Sequence, residues 1–142
     1  MPRKAIEIDV ADLIQAIGLL MRRVRSAAAA HEVSLTESAV MARLAKHGPA
    51  TASDLARSEG MRPQSMATTI AALEELGLVE RNPHPTDRRQ MHIALTAKGM
   101  AVRESMRDAK HTWLEQAVAQ LNKSDQETLF AAIEIIKRLA EN

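Results

Sequence analysis

The side chains best suited to chemistry in this sequence gather in two short runs, and the chemistry they suit is recognition rather than bond-making. In the run Pro63-Gln64-Ser65-Met66-Ala67-Thr68-Thr69-Ile70, a helix that turns Met66, Ile70 and Leu73 to one face turns Gln64, Ser65, Thr68 and Thr69 largely to another. Short uncharged donors and acceptors fit close approach to base edges and phosphates in a major groove, whereas the solvated face of a structural helix more often carries Glu and Lys. The second run, Asp87-Arg88-Arg89, sets one carboxylate beside two guanidiniums. The carboxylate can fix their direction and still leave net positive charge. Arginines so placed reach phosphate or a narrow minor groove, although the same residues alone would read as an ordinary solvated loop.

Bond-making chemistry has little to work with. The five histidines, His31, His47, His84, His92 and His111, are scattered, with no HExxH spacing, no Gly-rich phosphate loop and no nucleophile elbow. There is no cysteine, which excludes disulfides, thiolate zinc sites, thiol nucleophiles and cysteine redox sensing. His31 and His111, at the end of one outer helix and within the other, are the pair that could meet near a metal or ligand. No enzyme activity, cofactor or metal is expected.

The charge balance is +1, from 19 basic and 18 acidic residues. Residues 43–110 carry eleven basic and eight acidic side chains, hence +3, residues 1–42 sum to zero, and residues 111–142 come to −2. A basic centre is a weak pointer to an anionic partner. At 142 residues the chain can bury a core without staples. Its only aromatics are Trp113 and Phe130, so that core must come from Leu, Ile, Val, Met and Ala, a mix that favours helices. No apolar run is long enough for a membrane span and residues 1–9 lack a signal-peptide core, so a cytoplasmic protein without membrane contact is expected.

Elements must position the two runs. Val10, Leu13, Ile14, Ile17, Leu20, Met21 and Val24 have the spacing of a long amphipathic helix over about residues 9–30. Thr36 is a plausible cap for a second helix that Gly48-Pro49 ends. Thr51-Ala52-Ser53-Asp54 opens a short third helix ending near Gly60, and Pro63 suits the first position of a fourth, closed by Gly77. Two short helices joined by a tight Gly-containing turn are the helix-turn-helix pattern. Beyond it, Pro83 and Pro85 forbid helix, and Met91, Ile93 and Leu95 alternate with polar or small residues as in a half-buried strand, which predicts a hairpin with a basic-tipped loop. Thr96 then caps a long helix to about Leu121, and Ser124 with Glu127 caps a last one. The outer helices have more apolar face than the centre can cover, so either they pair with a second copy or they form a self-contained bundle.

The run Gly77-Leu78-Val79-Glu80-Arg81, then Asp87-Arg88-Arg89, then Leu95-Thr96-Ala97-Lys98-Gly99 resembles the winged-helix signature of the MarR family of bacterial transcription regulators. Gly48-Pro49-Ala50-Thr51, Leu55-Ala56 and Leu73-Glu74-Glu75-Leu76 match the preceding helix-turn-helix, so the resemblance covers nearly the whole chain. It implies a mainly α fold with a small β-hairpin wing: a winged helix-turn-helix lobe over residues 36–96, flanked by helical dimerisation regions over residues 1–35 and 97–142. It further implies a homodimeric repressor of a palindromic double-stranded DNA operator, released in many members by small lipophilic ligands. Gln64, Ser65, Thr68 and Thr69 would then face DNA, Asp87 would buttress the wing, and Arg88 and Arg89 would contact phosphate or enter the minor groove, with Arg89 the better match to the family's inserted arginine. Thr51, Ser53 and Arg62 join them as DNA-binding candidates, Thr51 and Ser53 through hydroxyls that capping can also engage.

The sequence departs from the family where an Arg is common, at Thr68, and where a Ser or Thr is common, at Ala67. Base readout then rests on Gln64, which can pair bidentately with adenine, and on threonine methyls against thymine. Met21, Met41, Met100 and Met106 would suit an adaptable pocket for a lipophilic or anionic effector, or simply core packing. The rival reading is a winged helix that binds protein, which would present exposed apolar residues where this sequence has Gln64, Thr68, Arg88 and Arg89.

Overall fold

The computed structural model describes residues 2–29 and 33–142. Among them the element order is α1 (Arg3–Ser26), α2 (Leu35–His47), α3 (Ala52–Ser58), α4 (Pro63–Glu75), β1 (Val79–Pro83), β2 (Met91–Leu95), α5 (Ala97–Ala119) and α6 (Lys123–Ala140). The chain divides into two compact units, one of Ala28–Arg107 and one of Met1–Ala27 with Asp108–Asn142.

The central unit is built on local signals that the sequence displays. Gly48 ends α2 at φ 82°, a left-handed conformation that a side chain would strain. The Thr51 hydroxyl accepts the Asp54 amide at 3.1 Å to open α3, and Pro63 occupies the first turn of α4, where its missing N–H leaves nothing unsatisfied. The core joins Val40, Met41 and Leu44 of α2, Leu55 and Ala56 of α3, Met66, Ile70 and Leu73 of α4, and Leu78, Val79 and Ile93 around the hairpin. β1 and β2 pair antiparallel with Val79 opposite Leu95 and Pro83 opposite Met91. Ala50, between α2 and α3, adds a bridge to Ile93 through two backbone hydrogen bonds of 3.1 and 2.7 Å, which ties the helices to the hairpin.

The second unit holds α1, α6 and the end of α5. Gln126 donates from Nε2 to the Val118 carbonyl, which also accepts the Leu121 amide, and to the Leu121 carbonyl just past the end of α5. The Arg23 guanidinium lies 5.6 Å from the centre of the Trp113 ring, a cation–π arrangement. Neither α1 nor α6 buries a single residue in the isolated chain among the described residues.

Three helices differ from expectation in their boundaries. α1 begins at Arg3, six residues before Asp9, with Arg3 and Glu7 paired one turn apart at 3.6 Å, and it ends at Ser26, capped by Ala27, short of the expected Ala30, which lies outside the described residues. α2 is capped by Ser34, not Thr36: the Ser34 hydroxyl accepts the Glu37 amide at 3.1 Å, so Thr36 falls inside the first turn. α6 is capped by Asn122, whose side-chain oxygen accepts the Asp125 amide at 2.8 Å, and Ser124 lies within the helix. Met91 is exposed, so the alternation of β2 buries Ile93 fully and Leu95 only in part.

Candidate nucleic-acid interface

The turn between α3 and α4 is set by Gly60, at φ 62°. The Met61 amide donates to the Ala56 carbonyl at 2.8 Å and the Gly60 amide to Arg57 at 3.3 Å, the two bonds of a Schellman closure. α4 then leaves with Met66, Ile70 and Leu73 entirely buried, while Gln64, Ser65 and Thr68 are exposed and Thr69 is half-buried. The structure thus brings all four predicted residues to the side of the helix away from the core. It also alters their chemistry. The Thr68 hydroxyl donates to the Gln64 carbonyl and that of Thr69 to the Ser65 carbonyl, each at 3.1 Å. Both threonines therefore present a methyl and an acceptor, and the outward side-chain donors of this face are the Gln64 amide and the Ser65 hydroxyl.

Arg62 is exposed just before α4, and Ser53 is exposed at the start of α3. Thr51 is half-buried, and its oxygen is taken as an acceptor by the cap. A cleft of about 580 Å³ opens between α3 and the hairpin, with Thr51 and Ser53 on one wall and Arg81, His84 and Gln90 on the other.

The loop between β1 and β2 is tightly bonded. The His84 amide donates to the Gln90 carbonyl at 3.1 Å, and the Gln90 amide to the Asp87 carbonyl at 3.0 Å. Asp87 Oδ1 accepts both the Arg89 amide and Arg89 Nε at 3.1 Å. These two bonds, the guanidinium first, hold the Asp87 carboxyl below its ordinary pKa; the nearby His84 adds to the lowering and desolvation opposes it. The Arg89 side chain is 91% exposed while that of Asp87 is 30% exposed, so the carboxylate sits at the base of the loop and the guanidinium projects from it. Arg88 is exposed beside it.

Sequence reasoning missed the groups that hold these pieces to one another. Arg81 of β1 pairs with Glu74 of α4 at 3.0 Å, joining the hairpin to the helix that carries Gln64. Thr96 caps α5 as expected, accepting the Gly99 amide at 3.0 Å, but its hydroxyl also donates to the Gly77 carbonyl at 2.6 Å, and Lys98 Nζ donates to the Leu76 carbonyl at 2.8 Å. The run Leu95-Thr96-Ala97-Lys98-Gly99 is therefore a clamp between the start of α5 and the end of α4. Within it Gly99 lies against the Leu78 carbonyl, with no room for a Cβ. His84 was also missed: its Nδ1 accepts the amides of Thr86 at 3.2 Å and Asp87 at 3.0 Å. The available signal was its place in His84-Pro85-Thr86-Asp87, where a side-chain acceptor can fold the following turn back on itself.

An uncharacterized HTH-type transcriptional regulator of Mycobacterium bovis is 34% identical over 130 residues, 92% of this chain and 91% of that protein. The MarR family model matches residues 33–91. The chain belongs to the MarR family. This MarR family member is accordingly a transcriptional regulator of the helix-turn-helix type and not an enzyme. A MarR family protein from Bacillus stearothermophilus shares its fold at a TM-score of 0.78 and 15% identity over the whole of both chains. A MepR variant of S. aureus, bound to an oligodeoxyribonucleotide, matches at a TM-score of 0.73 and 18% identity over 93% of this chain and 96% of that one.

The matched segment of this MarR family member contains every residue singled out above from Thr51 to Arg89. Among the described residues no three His, Asp or Glu side chains are grouped to hold a metal, and no helix is long and apolar enough to cross a membrane. His31 lies outside the described residues, and the exposed His111 faces Glu115 at 3.3 Å on its own helix. Met41 is in the core and Met106 is buried, whereas Met21 and Met100 are exposed.

Proposed function

We propose that this MarR family member is a homodimeric repressor that lays α4 in successive major grooves of a palindromic operator and sets its wing on the adjacent backbone or minor groove. The observation that carries the reading is the wing tip: an almost fully exposed Arg89 aimed by a carboxylate at its base, in the same compact unit as a helix whose outward face is Gln64, Ser65 and Thr68. Gln64 reads base edges, Thr68 and Thr69 offer methyls to thymine, and Arg62, Arg88, Arg89 and the hydroxyls of Thr51 and Ser53 meet the backbone. Residues 36–96 form the DNA-binding lobe, and residues 1–35 and 97–142 the dimerisation region. Helices α1 and α6 support this division, because Leu13, Ile17 and Leu20 on one and Ile133, Ile136 and Leu139 on the other are each 42–60% exposed in the single chain. A lipophilic or anionic small molecule releases the operator by favouring a dimer whose recognition helices no longer match grooves about 34 Å apart.

The test is binding of a duplex, selected from a random-sequence pool, as salt is raised. Three arginines per subunit imply roughly six phosphate contacts per dimer, hence a slope of about −5 in log K against log salt. A dimer by light scattering with such a slope fits the proposal. A stable monomer, or a flat salt response, overturns it and returns the protein-binding winged helix.

A further inference from the structure

The wing tip depends on a side chain unlike the other groups that face DNA. His84 is half-buried at the end of β1, and its Nδ1 receives two backbone amides, from Thr86 and Asp87, with the Thr86 hydroxyl 3.3 Å away. A nitrogen that accepts two N–H groups carries no proton of its own, so the ring is the neutral tautomer with hydrogen on Nε2. The amide it fixes belongs to Asp87, and the Asp87 carboxylate in turn fixes the Arg89 amide and Nε. His84, Asp87 and Arg89 thus form a relay in which each side chain orients the next.

We propose that His84 is the positioning residue of the wing: its unprotonated Nδ1 folds the loop that aims Arg89, and protonating this one imidazole loosens the wing and weakens DNA binding. The proposal rests on the reading that the wing contacts DNA. Asparagine or aspartate would ordinarily fill such a turn-folding place, and neither loses its acceptor in mildly acid solution. An imidazole does, because a proton on Nδ1 turns the acceptor into a third donor facing two amide donors. The charged groups around it are few. Asp87 lies in its own loop, the His92 ring of β2 stands edge-on with centroids 4.4 Å apart, and Arg81 of β1 with Asp54 and Arg57 of α3 lines the same cleft. Asp87 stays ionised in mild acid, its carboxyl being held below the ordinary value, so its bonds to Arg89 persist there.

The experiment measures affinity of the full chain for a pool-selected duplex at both pH values and fixed salt, for the wild type, His84→Asn, His84→Ala, His92→Gln and Arg89→Ala. Asn offers an acceptor where Nδ1 stands, so His84→Asn binds within about twofold of wild type at pH 7.5 and lacks its acid loss, which is on the order of tenfold. His84→Ala is weaker by about tenfold already at pH 7.5. If His84→Asn keeps the wild-type acid loss, if His84→Ala binds as the wild type does, or if His92→Gln alone removes the loss, the proposal is overturned. Nitrogen-15 NMR of the ring reads the same point without DNA: hydrogen on Nε2 at pH 7.5 supports it, and hydrogen on Nδ1 overturns it. Arg89→Ala separates the two failures. Should that variant bind like the wild type, the reading of the wing as a DNA contact is what fails, and the NMR result still decides the role of His84 in the loop.

Discussion

Replacing Thr96 by valine removes one oxygen and almost no volume, and the structure fixes what that oxygen does. As an acceptor it caps α5 through the Gly99 amide; as a donor it satisfies the carbonyl of Gly77, a half-buried residue 19 positions back in the chain. Loss of a helix cap costs about 1 kcal/mol. Leaving a partly buried carbonyl without its donor costs about another 1 kcal/mol. The Thr96 amide still donates to the Leu78 carbonyl, so the junction loosens without coming apart. Thr96→Val is therefore expected to lose about 2 kcal/mol, or about 7 °C in Tm for a chain of this length. Urea and thermal unfolding, followed by circular dichroism at one fixed protein concentration, measure it, since association would otherwise shift the midpoint. Thr96→Ser keeps both hydrogen bonds and should recover most of the loss. Wild-type stability in the valine variant, or equal losses in valine and serine variants, would refute the clamp.

Three other outcomes follow from named contacts. Arg89→Ala should weaken operator binding by about tenfold, the scale of a lost charge-assisted hydrogen bond, while Arg103→Ala on α5 stays within about twofold; equal affinities in a fluorescence-anisotropy titration would contradict the wing assignment. The Asp87 carboxyl has a lowered pKa in the folded protein, so its contribution is present above the unfolded value and lost only as pH falls through the lowered one. A carbon-13 NMR titration should accordingly find Asp87 ionised throughout mild acid, and an ordinary or raised value would count against its bonds to Arg89. Gly99→Ala gains about 1 kcal/mol of helix propensity but forces a methyl onto the backbone carbonyl of Leu78, which has no rotamer to escape by. Overpacking of that kind costs about 1–3 kcal/mol, so the variant should have the lower urea midpoint; a higher one would mean that the junction opens easily.

Much of the central unit was legible along the chain because its signals act between near neighbours. The buried face of α4 follows from the spacing of Met66, Ile70 and Leu73, and the turns at Gly48, Gly60 and Gly77 follow from a residue that tolerates positive φ. The exposed face of α4 and the arginines of the wing were legible for the same reason, being the complement of the core pattern. Caps were harder. Ser34 and Thr36, or Asn122 and Ser124, are nearly equal candidates by type, and the choice at α6 goes with Gln126, which from a helix starting at Lys123 reaches the carbonyls of Val118 and Leu121.

What the residue order determined by itself was the existence of each element and, in the central unit, the face each helix buries: periodicity, capping oxygens, prolines and glycines work within a few residues, and their geometry is the same in any fold. Only the tertiary structure decided which distant polar groups meet. Arg81 could pair with several carboxylates, yet it faces Glu74; Thr96 and Lys98 find the carbonyls of Gly77 and Leu76, 19 and 22 residues away; Ala50 bridges to Ile93. A hydroxyl, an ammonium or an imidazole has many equivalent partners in an open chain. Packing the apolar faces closes the loops between them and leaves each one only a few partners within reach.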